Sequence, residues 1–99
     1  MAQLTAAERL EEIKIRLYGD GTPTYNDKQL RGFIDDVIGE LIDGGVKKEV
    51  AESTAAIGCI ATGITDIWNY TPGGVKHSEY FNRRMVQLSL KKGDTDVHT

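Results

Sequence analysis

Apolar and polar positions along this chain alternate with a helical period, and each run opens or closes on a recognisable signal. Thr5-Ala-Ala-Glu8 has the form of a capping box, and Leu10, Ile13 and Leu17 follow at spacings of three and four. A first helix over about 5–18 is predicted, ended by Gly19-Asp-Gly-Thr-Pro23. Asn26 then caps a second helix, with Gln29 at the third position and Tyr25 and Leu30 placed as a hydrophobic staple. Its stripe is Leu30, Phe33, Ile34, Val37, Ile38, Leu41 and Ile42, opposed by Arg31, Asp35, Asp36, Glu40 and Asp43, and Gly44-Gly45 stops it.

Residues 46–52 fit either a separate helical turn or the first part of a long third helix, and a main start near Glu52 or Ser53 is expected. From there Ile57, Ile60, Ile64, Ile67 and Trp68 recur at helical spacing among small residues. An interior helical glycine costs about 1 kcal/mol relative to alanine, so Gly58 and Gly63 predict that something packs closely against them. Pro72-Gly73-Gly74 breaks the pattern. Ser78 is placed to cap a fourth helix carrying Tyr80, Phe81, Met85, Leu88 and Val86 inward. Gly93, Asp94, Thr95, Asp96, Val97, His98 and Thr99 have no periodicity and read as a short flexible arm. The fold expected is all-α: a small bundle of about four helices over residues 1–92, with the arm at 93–99.

Ninety-nine residues suffice for one domain and one core. With 39% hydrophobic and 27% charged residues, the chain is poor in apolar surface, which suggests that neighbouring subunits complete its packing. A net charge of -3 argues against a binder that relies on neutralising phosphates. Cys59, the single cysteine, stands among Ile57, Ile60 and Ala61 and reads as a small core residue. No apolar run approaches the roughly 18 to 20 residues that span a bilayer, and the N-terminal residues lack the pattern of a secretory signal. A soluble protein of the cytoplasm is expected.

Reactive chemistry is sparse. His77 and His98 belong to no hydrolase or metal-binding motif, and Asp35 and Asp36, as helix neighbours, point about 100° apart, a poor geometry for a carboxylate pair acting on one bond, and read as solvated surface. Gly19-Asp-Gly-Thr and Gly73-Gly-Val-Lys76 lack the spacing of phosphate-binding loops. No catalytic residue, cofactor or metal site is predicted. Arg83, Arg84, Lys91 and Lys92 lie toward the C-terminal half of the fourth helix, where the helix dipole favours positive charge. Asp66, Trp68, Asn69 and Tyr70, with Tyr80 and Phe81 across the break, gather polar and aromatic groups at one corner. They read as a structural corner or as an anchor for a partner.

The order Ala56-Ile-Gly58 to Gly63, then Ile64-Thr-Asp66-Ile-Trp68-Asn69-Tyr70, then Gly73-Gly74, then Tyr80-Phe81-Asn82-Arg83 and Val86-Gln-Leu88 resembles the small head-to-tail connector proteins of tailed bacteriophages. These are also called head completion or DNA-packaging adaptor proteins. The resemblance implies a structural virion protein at the head-tail junction, made in the host bacterial cytoplasm. It implies a homo-oligomer, a dodecameric ring beneath the portal protein, that extends the channel for double-stranded DNA and receives the next connector or tail protein. Within that frame Asp35, Asp36, Glu40 and Asp43 are candidates for the channel lining, since an acidic lumen repels phosphate. The arm at 93–99 is the candidate portal contact, because terminal arms in the family become ordered by docking. The competing reading is a small helical DNA-binding or regulatory protein, whose mark would be an exposed basic recognition helix.

Overall fold

Both N-terminal capping signals close in three dimensions. In the computed structural model, residues 3–19, 21, 25–68 and 78–91 are described, Trp68 only by its place in a helix. Helix α1 spans Ala6–Tyr18, with the Glu8 N–H donating to the Thr5 hydroxyl and the Thr5 N–H to the Glu8 carboxylate. Helix α2 spans Asp27–Asp43 and starts on the same reciprocal pair between Asn26 and Gln29. The Tyr25 ring meets Phe33 edge-on, at 5.0 Å between centroids. After Gly44 the chain turns through Gly45 at φ 100°, a left-handed value that suits glycine.

Residues 46–52 resolve as a separate turn, helix α3 at Lys48–Ala51. Ser53 is the break. Its backbone is extended, and its hydroxyl donates to the Val50 carbonyl while accepting from the Ala55 N–H. A single 3-10 turn, Thr54–Ala56, precedes helix α4, Ile57–Trp68. The main start of the third long helix thus lies a few residues beyond Ser53, because Ser53 caps the 3-10 turn first. Helix α5, Glu79–Ser89, starts on Ser78, whose hydroxyl accepts from the Phe81 N–H. The described residues are all-α; their one extended pairing is an isolated bridge between Gln3 and Ser53.

The core gathers around α4. Leu10 and Ile13 of α1, Leu30, Ile34, Val37, Ile38 and Leu41 of α2, and Phe81 and Leu88 of α5 are buried with Ile57, Cys59, Ile60 and Ile64. Gly63 has the close packing its sequence position predicts. A Cβ there would lie 2.8 Å from Phe81 Cε2 and 2.9 Å from Val37 Cγ1, so α2 and α5 both close onto that point. Gly58 differs: its Cβ position meets only the Arg16 guanidinium, at an ordinary 3.6 Å.

The inward face of α5 needs correction. Phe81 and Leu88 are buried and Met85 is half-buried, but Tyr80 and Val86 are 55% and 58% exposed. Residues 81, 85 and 88 form one stripe at spacings of four and three, and at about 100° per residue their neighbours 80 and 86 turn away from it. The sequence pattern also hides a buried cation. Arg9 is 8% exposed, and its Nη2 donates to the carbonyls of Leu4 and Glu52. With Gln3 Nε2 donating to the Glu49 carbonyl, this ties the start of the chain to the α3 turn.

Candidate functional site

Helix α4 presents two unlike sides. Gly63 faces α2 and α5, while Gly58, Thr62 and Thr65 lie on another side, beside α1 and only partly covered. Small residues there leave a depression between α1 and α5. Arg16, Leu17, Gly58, Ala61, Thr62, Thr65 and Tyr80 line a hollow of about 300 Å³. Tyr80 also lines a second, of about 400 Å³, with Arg83, Arg84 and Gln87. Together they make one open groove divided by the tyrosine.

Guanidinium groups gather along this groove although the chain is acidic overall. Arg84 is fixed: Nη2 donates to the Ala55 carbonyl at 3.2 Å and Nη1 to Gln87 Oε1 at 3.1 Å. Arg83 pairs with Glu79 at 3.1 Å, both exposed, so the pair is weak. Arg16 reaches over Gly58 from α1. The hydroxyls of Thr62 and Thr65 donate to the carbonyls of Gly58 and Ala61, which leaves their lone pairs facing outward. Among the described residues the lining offers guanidinium, hydroxyl and amide groups without a carboxylate or imidazole. Such a set holds carboxylates and other anions.

The predicted corner is divided by the structure. Asp66 Oδ2 accepts a hydrogen bond from the Ser78 N–H at 2.9 Å, so the end of α4 anchors the cap of α5. Phe81 is 1% exposed and belongs to the core, whereas Tyr80 belongs to the groove. Asn69, Tyr70 and the Trp68 side chain lie outside the described residues, as do residues 93–99 of the predicted arm.

Cys59 is buried, with Sγ 3.9 Å from the Phe81 carbonyl oxygen. Burial pushes its thiol pKa up to about 11; the positive charge of Arg84 opposes the rise and the negative charge of Asp66 adds to it. It is an inert packing residue.

On α2, Asp35, Asp36, Glu40 and Asp43 are all exposed. Gly32 and Gly39 share this outer face, and nothing lies within 4 Å of where a Cβ would stand on either. Sequence reasoning missed these glycines because attention fell on the charges between them. It missed Arg16, Thr62, Thr65 and Gln87 because their grouping depends on three helices meeting. The signal that was present is the run of small residues on α4, which marks both its packed and its open side.

No helix among the described residues is long and apolar enough to cross a membrane. Comparison of the chain with protein-family models, with curated proteins and with solved structures finds no match.

Proposed function

We propose that this chain is a structural subunit of a phage head-to-tail connector, a non-enzymatic adaptor that forms a ring beneath the portal and carries the DNA channel onward. The observation that carries the reading is the α4-to-α5 unit. The seam at Gly63 and Phe81 and the hydrogen bond from Ser78 to Asp66 hold the two helices that bear the resemblance against each other. An adaptor serves by presenting fixed surfaces, and its helices need caps and close packing more than reactive groups. The exposed groove and the exposed outer face of α2 provide two such surfaces. In this reading the protein works in the virion, at the head-tail junction, with the portal on one side and the next connector or tail protein on the other.

The DNA-binding alternative draws on the guanidinium cluster of the groove. The chain as a whole is acidic, with a net charge of -3, and α5 is half-buried, which weakens it as a recognition helix. The deciding experiment mixes the protein with the portal of a candidate phage, images the mixture by electron microscopy and measures the mass of the free protein. A ring capping the narrow end of the portal is the expected result. Failure to bind, together with salt-sensitive, sequence-specific DNA retardation, overturns the proposal.

A further inference from the structure

Two surfaces of this molecule are complementary and point in opposite directions. Val37 of α2 packs on Gly63, on the core side of α4, whereas Gly58, Thr62 and Thr65 form the groove floor on the other side. The outer face of α2 points away from α4 and therefore away from the groove. That face carries more acid than base: Asp35, Asp36, Glu40 and Asp43 are exposed, against Lys28 and Arg31 toward its N-terminal end, and Gly32 and Gly39 have open space around their missing side chains among the described residues. Each glycine costs helix stability, and no contact among the described residues accounts for either. The groove side is its counterpart. It carries Arg16, Arg83, weakly paired with the exposed Glu79, and Arg84, with Tyr80 among them 55% exposed; on the same helix Val86 and Leu90 are exposed at 58% and 80%.

From this we infer that the partner of the groove is a second copy of this chain, which lays the outer face of its α2 against Tyr80 and the arginines. The glycines let the aromatic ring and the α5 helix approach the neighbour's backbone closely, and the aspartates meet the guanidinium groups at the edges. Exposed valine and leucine beside the cations favour a protein partner over a phosphate backbone, which has no use for apolar surface. Because the two surfaces differ, the contact is heterologous: each copy uses its groove for one neighbour and α2 for the other, and successive copies close into a ring or run on as a filament. This rests on the connector reading and changes one expectation within it. The acidic face belongs to a subunit boundary and leaves the lumen to other residues.

The test is sedimentation of the full chain alone, from about 10 μM to about 1 mM, at low and high salt. Association at low salt that weakens as salt rises is expected. Arg16→Glu with Arg83→Glu should weaken it at least about tenfold, as should Asp35→Lys with Asp36→Lys, and mixing the two double variants should restore it. Gly39→Leu, whose Cβ would meet no described residue within 4 Å, should weaken it without loss of fold, checked by circular dichroism. A wild-type chain that stays monomeric throughout overturns the inference, and so does association indifferent to all these changes. Groove-dependent binding of duplex DNA without self-association overturns it in favour of nucleic acid. A chain that is monomeric alone yet caps a portal sinks this contact and spares the connector reading; self-association through these faces without portal binding does the reverse.

Discussion

The ring of Phe81 occupies the space that a Cβ on Gly63 would need, at 2.8 Å from that position, with Val37 Cγ1 on its other flank at 2.9 Å. Substitution by alanine gains helix propensity of about 1 kcal/mol and loses about 1–3 kcal/mol to overpacking between two buried neighbours. Gly63→Ala should therefore destabilise the fold by up to about 2 kcal/mol, read as a lower denaturant midpoint at unchanged slope.

Gly39→Ala should have the opposite sign. Its Cβ meets nothing within 4 Å, so the propensity gain of up to about 1 kcal/mol stands uncancelled. Thermal unfolding of the two variants side by side checks the contrast, and a destabilised Gly39→Ala would contradict the open face described for α2.

Removing the Asp66 carboxylate leaves the Ser78 N–H without its acceptor at the head of α5. Asp66→Ala should cost about 1–2 kcal/mol, while Asp66→Asn, which keeps an acceptor oxygen, should cost less. Faster hydrogen exchange at the Ser78 and Phe81 amides would locate the loss at this cap.

Cys59 makes stability fall in alkali. Its thiol pKa is raised from 9.0 in the open chain to about 11 in the fold, so the native state holds the proton longer. Its contribution is fully present below pH 9 and is lost as pH rises toward 11, at a slope approaching 1.4 kcal/mol per pH unit. Cys59→Ala should remove that part of the slope in urea titrations at pH 8 to 10.5. At neutral pH a thiol reagent should label Cys59 only as fast as the protein opens.

Deleting residues 93–99 should leave the fold intact, since every core residue among those described lies at or before Leu88, and should weaken attachment to the portal. Unchanged circular dichroism with reduced portal binding is the expected pair of results; undiminished binding would remove the arm from the proposed contact.

Local chemistry explains what was legible in the sequence. Thr5 with Glu8 and Asn26 with Gln29 carry their partners three residues away, so both helix starts could be read directly. The stripe of α2 needed only periodicity. Ser53 was harder, because its hydroxyl ends one turn and begins another, and nothing nearby in sequence says which it does first. Tyr80 and Val86 misled because apolar character alone does not reveal which side of α5 meets Gly63. Arg9 and the groove arginines depended on contacts across tens of residues, Arg9 with Glu52 and Arg84 with Ala55. No local pattern announces such pairs.

The bond between the start of the chain and the α3 turn bears on synthesis. Arg9 finds an acceptor at Glu52, and Leu10 and Ile13 find their apolar neighbours on α4, which begins at Ile57. A chain growing in the N-to-C direction must therefore carry α1 with its apolar stripe unmatched until α4 has left the ribosome. Its reciprocal cap holds the helix end without help from α4, but its apolar residues must wait for theirs. Helix α1 is thus made well before the helix that buries it, and the growing chain offers its apolar stripe to other nascent chains in that interval.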